Sequence, residues 1–311
     1  MIFGLTRAGV GFTGPIDAFA AKAAEYGFGA VDASGDELLR WIGEIGADRA
    51  AAQLGRLGVR IGSVGLCVDW RNDDASFRET LKRLPAEADA AARLGCTACC
   101  TYILPSVDES PARFLALATR RLRIVADVLD AYGLRLGLEF VGPMHLALRW
   151  KHPFIRTMAE TLDWIAAIDK PNVGLLLDSF HWYTTGGTEA DLLSLRPEQI
   201  VHVHLNDAPA VPVEQARDDD RLYPGEGVID LAAFLRALYR IGYRGVVAQE
   251  VLRPEMPESD SSSASRRSTA PVDRDPDELF RRSAEAYRRV FAAAGLWPPA
   301  AGRRPNNEGG E

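Results

Sequence analysis

One repeated pattern constrains the fold of this chain more than any other feature. A segment with helical apolar periodicity ends in a bulky residue and a glycine, and a short β-rich segment follows. The five clearest junctions are Tyr26-Gly27, Leu57-Gly58, Leu94-Gly95, Tyr132-Gly133 and Ile241-Gly242. Glycine adopts a left-handed turn at low cost, so a glycine just past a helix lets the chain double back. The pattern predicts helices that alternate with strands.

Three further strand-like segments bring the total to about eight. They lie at residues 2–5, in the apolar run that ends at Asp178, and at residues 200–205. Eight strand and helix units at roughly 30-residue spacing predict an α/β fold, a (β/α)8 TIM barrel, rather than an open doubly wound sheet. An early G-x-G-x-x-G motif that would favour a dinucleotide-binding fold is missing. We expect a single catalytic domain over residues 1–297.

Three segments depart from the repeat. Residues 208–223 follow the seventh strand and contain two prolines and an acidic run, so we expect an active-site loop there. Residues 254–276 are rich in proline, serine and charge, which is typical of a flexible insertion. Residues 298–311 are expected to form a disordered tail.

Composition excludes several classes of function. The 311-residue chain has a net charge of −7 and no basic stripe, which argues against binding to nucleic acid or to anionic membranes. Its apolar runs are shorter than the roughly 18 residues that span a bilayer, and the N-terminus does not resemble a signal peptide, so we expect a cytoplasmic protein. Cys96, Cys99 and Cys100 lack a second cysteine pair and are interpreted as reduced packing residues rather than a metal or redox site.

Potential metal ligands end four successive predicted strands. These residues are Glu139, Asp178, His204 and Glu250. In a barrel the carboxyl ends of neighbouring strands converge on one mouth, so side chains far apart in sequence meet there. Three carboxylates in one place repel each other unless a cation neutralises them. The set predicts a site for one divalent metal ion, and Mn²⁺, Zn²⁺, Co²⁺ and Mg²⁺ all suit its oxygens and single imidazole.

The remaining histidines and one arginine leave alternatives open. His202 lies two residues before His204 and points the same way on a strand, but is expected to pack lower in the barrel. His145 is a candidate to reach the mouth, and His152 is expected at the surface. Asp178 has a second interpretation, as a helix cap followed by a surface His181. Arg221 either meets substrate oxygens or is a solvated loop charge that answers the acidic run.

These residues carry a family resemblance. The chain resembles the sugar phosphate isomerase/epimerase superfamily, the xylose isomerase-like TIM barrels, and within it the inosose isomerase (2-keto-myo-inositol isomerase) branch of inositol catabolism. The resemblance covers roughly residues 135–256 and rests on five stretches: Leu138-Glu-Phe-Val-Gly142, Val173-Gly-Leu-Leu-Leu-Asp-Ser-Phe-His181, His202-Val-His-Leu-Asn-Asp207, Asp220-Arg-Leu-Tyr-Pro-Gly-Glu-Gly-Val-Ile-Asp-Leu231 and Glu250-Val-Leu-Arg-Pro-Glu255. It implies that Glu139, Asp178, His204 and Glu250 are metal ligands, and that His181 and Arg221 contact substrate oxygens.

From this we expect an isomerase or epimerase that moves a proton through an enediolate on a cyclic or linear polyhydroxy ketone. Glu139 and Glu250 are the expected acid and base, and His181 polarises or reprotonates an oxygen. Trp150 and Trp182 are candidates for an apolar floor beneath the substrate. The oligomeric state stays open, a homo-oligomer included.

Three rival functions share some of these features. A lyase or dehydratase of the same superfamily starts with the same α-proton abstraction, and the ligands do not discriminate against it. A metal-dependent abasic-site endonuclease would need more histidines and a basic face than this chain offers. A non-catalytic sugar-binding protein would be favoured if the purified chain held no metal.

Overall fold

The computed structural model describes residues 1–252 and 275–297. Eight parallel strands close into one barrel in which each strand pairs with its neighbour in sequence and the last pairs with the first. The predicted (β/α)8 barrel is therefore confirmed. The barrel strands are β1 (Ile2–Leu5), β2 (Ala30–Ser34), β3 (Arg60–Gly65), β4 (Ala98–Ile103), β5 (Arg135–Phe140), β6 (Val173–Asp178), β7 (Ile200–Leu205) and β8 (Val246–Gln249).

Helices connect the strands and surround them. Their bounds are Ile16–Glu25, Gly35–Ile45, Ala47–Leu57, Asp74–Leu81, Leu84–Arg93, Pro111–Asp130, Met144–Ala147, Met158–Ile168, Ser179–Thr184, Glu189–Leu193, Leu231–Arg240 and Pro276–Ala293, with 3₁₀ turns at Pro197–Gln199 and Val213–Gln215. A two-residue antiparallel pair joins Ser106–Val107 to His152–Pro153 outside the barrel. Within the described ranges, every helix is too short or too polar to cross a membrane.

The glycine junctions behave as the sequence predicts. Gly27, Gly58, Gly95, Gly133 and Gly242 all have positive φ, between 67° and 95°. Each lies at the end of a helix whose apolar face packs into the core between the helices and the barrel wall. The repeated unit thus turns the chain from the outer layer back into the barrel.

One stretch with helical periodicity is divided between two helices. The apolar periodicity from Phe77 to Ala91 suggests a single helix, but the structure has two, Asp74–Leu81 and Leu84–Arg93. Pro85 lies in the first turn of the second helix. Proline fits the first turn but disrupts a helix interior, so a new helix begins there. The expected insertion at 254–276 falls almost wholly outside the described residues, and the expected tail at 298–311 falls entirely outside them.

Two irregularities in the barrel wall affect the positions of later residues. Between β2 and β3, Val31 pairs with Ile61 but Ala33 pairs with Val64, so β3 carries an extra residue opposite Asp32. Between β6 and β7, Leu175 pairs with Ile200 but Leu176 pairs with His202. An extra residue of this kind bends the strand and changes the direction of nearby side chains.

The cysteines agree with the interpretation of packing residues. All four are free thiols, and Cys96 and Cys99 are buried. Burial raises the pKa of the Cys96 thiol to about 12. This thiol therefore stays neutral near pH 7 and packs as a small apolar group.

Candidate functional site

The four expected metal ligands meet at the carboxyl end of the barrel. Glu139 lies in β5, Asp178 ends β6, His204 lies in β7 and Glu250 follows β8. One ligand atom from each lies within 4.8 Å of the corresponding atom of every other member. Asp178 is completely buried, and the side chain of Glu250 is 14% exposed. The group is compact enough to share one ion.

The contacts of His204 test whether a cation fits this group. Its Nδ1 lies 3.5 Å from Glu139 Oε1, 3.5 Å from Glu250 Oε2 and 4.0 Å from Asp178 Oδ2. Nδ1 and Glu139 Oε1 are both buried and have no hydrogen-bond partner within residues 1–252 and 275–297. Buried polar atoms without partners are costly. An imidazole nitrogen and carboxylate oxygens aimed at one point form a donor set that fits a divalent metal.

Arg221 neutralises much of the negative charge around this point. Its Nη1 donates to Asp178 Oδ2 at 3.0 Å and to Glu250 Oε2 at 2.8 Å, while Nη2 donates to Asp218 Oδ1 at 2.6 Å. The guanidinium side chain is completely buried. Burial alone would lower the pKa of Arg221, but Asp178, Asp218 and Glu250 outweigh it and raise the pKa well above its ordinary value. The expectation of a solvated loop charge is therefore wrong.

His204 is held from its other side by Asp32. Asp32 Oδ2 lies 3.4 Å from His204 Nε2 and 2.9 Å from His202 Nε2. Burial disfavours the imidazolium form of His204, but the Glu250 carboxylate, the hydrogen bond to Asp32 and the nearby Glu139 carboxylate raise its pKa well above the usual value. Burial favours a neutral Asp32, whereas the two histidines lower its pKa. Without a cation, the surrounding carboxylates therefore favour the charged form of His204.

Asp178 and His181 come from the turn that leads from β6 into the helix Ser179–Thr184. Asp178 Oδ1 caps this helix by accepting from the backbone N–H groups of Phe180 and His181 at 2.7 and 3.2 Å, and Oδ2 faces the carboxylate cluster. Both interpretations of Asp178 are thus compatible, but a surface His181 is wrong because this residue is only 1% exposed. The end of β6, the helix cap and the contact with Arg221 together fix the side chain of Asp178, and the capped helix positions His181.

The two ring nitrogens of His181 contact different donors. Gly142 N–H points at Nδ1, 3.3 Å away, and Arg221 Nη2 lies 3.2 Å from Nε2. A neutral imidazole accepts at one ring nitrogen only, so one of these contacts is not a hydrogen bond. Nε2 also lies 3.9 Å from Glu139 Oε1 and 3.8 Å from Asp218 Oδ1. His181 therefore lies between Arg221 and the carboxylates of Glu139 and Asp218.

Gly142 gives a prediction about this contact. A Cβ built there would collide with Thr184 Oγ1 and lie 2.7 Å from the carbonyl oxygen of His181. Gly142→Ala should therefore push His181 aside and lower the free energy of unfolding by about 1–3 kcal/mol, the usual cost of overpacking. Urea unfolding measures this change in the free energy of unfolding. The matched control is Gly43→Ala, where the new Cβ meets no atom within 4 Å in a helix, and unchanged or higher stability is expected. Equal stability of the Gly142 variant and wild type would contradict the prediction.

The loop that carries Arg221 is closed at its base. Asp207 and Leu222 exchange backbone hydrogen bonds of 3.0 and 2.9 Å in an antiparallel bridge. Asp207 Oδ2 accepts from the N–H groups of Gly225 and Gly227, and Oδ1 accepts from Ile229. The predicted active-site loop at 208–223 thus returns to its starting point and delivers Arg221 into the mouth.

The other expected substrate contacts differ in position. Trp182 is 7% exposed and packs against Phe234, with ring centroids 5.4 Å apart, so it belongs to the core between helices rather than to a substrate floor. Trp150 is partly exposed, beneath the guanidinium of Arg149. His145 is partly buried, in the field of Arg217 and Asp218, and burial lowers its pKa.

The two remaining histidines lie where the sequence places them. His152 is exposed, as expected. His202 is 1% exposed and packs inside the barrel.

Sequence reasoning missed three residues of the site. Asp32 lies across the barrel from His202 and His204, and Asp218, expected as one of several loop charges, is buried beside Arg221. Asn206 donates from Nδ2 to Asp178 Oδ2 at 2.9 Å and to the Glu250 carbonyl at 3.0 Å. Asp32 ends the second predicted strand, and this position was the signal in the sequence that could have identified it.

Comparison with known proteins places this arrangement in a family. Residues 20–291 match the family model described as xylose isomerase-like TIM barrel. A solved xylose isomerase domain protein from Alicyclobacillus acidocaldarius is 35% identical, with a TM-score of 0.82 over 95% of this chain and 99% of that one.

Curated relatives match over shorter stretches. Inosose isomerase of Bacillus licheniformis is 35% identical over 133 residues, which is 42% of this chain and 45% of the relative. A 3-dehydroshikimate dehydratase of Pseudomonas aeruginosa is 36% identical over 138 residues, 44% of this chain and 20% of that protein. The match thus spans less than half the length of either relative. The family model covers most of the chain and the barrel is closed, so this protein belongs to the xylose isomerase-like TIM barrel family.

Proposed function

We propose that this protein is a divalent-metal-dependent isomerase or epimerase that moves a proton through an enediolate on an inosose-like or ketose-like polyhydroxy ketone. The observation that carries the proposal is the group Glu139, Asp178, His204 and Glu250, whose ligand atoms lie within 4.8 Å of one another. The resemblance to inosose isomerase over 133 residues supports the substrate class.

The proposed metal is held by these four side chains. A bound divalent ion supplies Lewis-acid stabilisation of the negative charge that develops on the substrate oxygens. Mn²⁺, Zn²⁺, Co²⁺ and Mg²⁺ all remain candidates, because carboxylate oxygens and one imidazole suit each of them.

The chain's own residues move the proton. Glu139 and Glu250 approach His204 Nδ1 from different strands, each at 3.5 Å, so they can flank a substrate carbon as base and acid. With the Gly142 N–H bonded to His181 Nδ1, the neutral imidazole carries its hydrogen on Nε2 and can donate a hydrogen bond to a substrate oxygen that displaces the Arg221 contact. Arg221 and Asp218 form the neighbouring wall, where the arginine is a candidate to orient substrate oxygens. The loop that carries them limits access of water to the mouth.

A dehydratase is the second candidate, favoured by the 36% identity to 3-dehydroshikimate dehydratase. Such an enzyme removes the same α-proton and then expels a β-leaving group as water. The product mass separates the two reactions, because isomerisation conserves mass and dehydration loses one water.

A panel of inososes, ketoses and 3-dehydroshikimate in deuterated water, with each of the four metals, tests the proposal. We expect a metal-dependent incorporation of one deuterium into an inosose or ketose and no loss of water. Chelator should stop the exchange. Turnover of 3-dehydroshikimate alone would favour the dehydratase, and the absence of both exchange and water loss with every substrate and metal would contradict both candidates.

A further inference from the structure

The strongest feature that the proposed chemistry does not use is a carboxylate shared by two histidines inside the barrel. Asp32 Oδ2 lies 2.9 Å from His202 Nε2 and 3.4 Å from His204 Nε2. The two imidazole rings are nearly perpendicular, at 84°, with centroids 5.3 Å apart. This arrangement lets both Nε2 atoms converge on one oxygen. All three side chains are at most 11% exposed.

The barrel wall is shaped to admit this contact. β2, which carries Asp32, and β7, which carries the histidines, share no strand partner and face each other across the interior. An irregular register lies beside each of them, opposite Asp32 on β3 and just before His202 on β7. Gly62 lies at the first irregularity, and a Cβ there would lie 2.6 Å from Asp32 Oδ1 and 3.4 Å from His202 Cε1. Glycine is thus needed at position 62 for Asp32 to keep its position.

The contact decides which nitrogen of His204 carries a proton. A carboxylate accepts hydrogen bonds, so its neighbour Nε2 is the protonated nitrogen. When a cation takes the place of the second proton, Nδ1 presents a lone pair towards Glu139, Glu250 and Asp178, and this nitrogen lacks a hydrogen-bond partner in the described part of the chain. Metal-binding histidines commonly donate their second N–H to a carboxylate, which fixes the tautomer and the ring orientation.

We propose that Asp32, steadied by His202, is a positioning residue that fixes His204 with its proton on Nε2 and its Nδ1 aimed at the metal position. The inference rests on the proposed function in one respect, the assignment of His204 as a metal ligand. It adds Asp32, His202 and Gly62 to the machinery of the site.

Zinc binding tests the inference without any substrate. The zinc Kd of wild type, Asp32→Asn and Gly62→Ala is measured by competition with a chromophoric chelator, and Asp130→Asn, which changes an exposed carboxylate, is the matched control. We expect a roughly 10- to 100-fold weaker Kd for Asp32→Asn and a smaller loss in the same direction for Gly62→Ala. Asp130→Asn should bind as wild type does.

Long-range ¹⁵N–¹H NMR of the zinc-loaded protein reads the tautomer directly, and a merely structural role of Asp32 would not change it. The chain has five histidines, so the signals are few. Wild type should show a zinc-bound Nδ1 and a protonated Nε2 for His204, and Asp32→Asn a mixture of tautomers. Zinc on Nε2 in wild type, or an unchanged Kd and tautomer in Asp32→Asn, would overturn the inference. If Asp32→Asn does not fold, the zinc Kd and the His204 tautomer of Gly62→Ala test the inference instead.

The proposed function fails by a different result. If the wild-type protein binds zinc through His204 Nδ1 but exchanges no deuterium into any ketone, the positioning role of Asp32 stands and the proposed isomerase activity is contradicted. If the wild-type protein binds no zinc, both the metal site and the positioning role are contradicted.

Discussion

Glu250→Gln should stop deuterium exchange into substrate while leaving the protein folded. Glutamine keeps the shape of the side chain and one oxygen ligand but lacks the negative charge needed to accept a proton. General-base catalysis contributes typically 10²–10⁴-fold, so we expect kcat to fall by about that factor. Exchange is followed by mass spectrometry in deuterated water, with metal content measured on the same sample.

Metal content separates the loss of a base from the loss of a ligand. A Glu250→Gln protein that keeps its full metal content and loses exchange supports the role of base, whereas loss of metal makes Glu250 chiefly a ligand. Glu189→Gln is the matched control, because Glu189 is exposed on a short outer helix, and it should exchange at the wild-type rate. Unchanged exchange in Glu250→Gln would refute the assignment.

Arg221→Met should destabilise the metal-free protein by about 3–5 kcal/mol, the usual cost of leaving a buried charge without its partner. The guanidinium is fully buried and pairs with Asp178, Glu250 and Asp218. Removing it leaves these carboxylates to repel each other. A divalent cation neutralises the same charges, so added Mn²⁺ should recover much of the lost stability. Urea unfolding with chelator and with Mn²⁺ measures both values.

Arg217→Met provides the comparison. Arg217 lies in the same loop but pairs at the surface with Asp219, so its removal should change stability by no more than about 0.5 kcal/mol. An equal loss of stability in Arg221→Met with and without metal would contradict the idea that arginine and cation neutralise the same carboxylates. Such a result would instead make Arg221 a purely structural part of the loop.

The fold was predictable because its signals are local. Gly27, Gly58 and the other junction glycines mark helix ends by their own backbone preference, which does not depend on distant contacts. The meeting of Glu139, Asp178, His204 and Glu250 was predictable for a related reason. A parallel barrel brings all strand ends to one rim, so position along each strand is enough to place these residues there.

The rest of the site depends on information that no local pattern contains. Asp32 reaches the histidines only because the strand register shifts beside it and Gly62 leaves room. Arg221 is buried because its loop returns to the end of β7. The path of a loop leaves no periodic pattern in the sequence, so this burial could not be predicted. Trp182 follows the rim residue His181 directly, yet the short helix at 179–184 turns it outward against Phe234. Each case depends on a distance across the fold.

The bridge between Asp207 and Leu222 divides the excursion after β7 into an anchored base and a distal arc. The base retains its geometry through backbone bonds and the Asp207 carboxylate, while residues 209–217 lie beyond it. Because the base is held by these bonds, substitutions at exposed positions of the arc, such as Val211 and Val213, should leave the charged residues at the rim in place. These exposed positions are the natural place to graft new selectivity onto this scaffold.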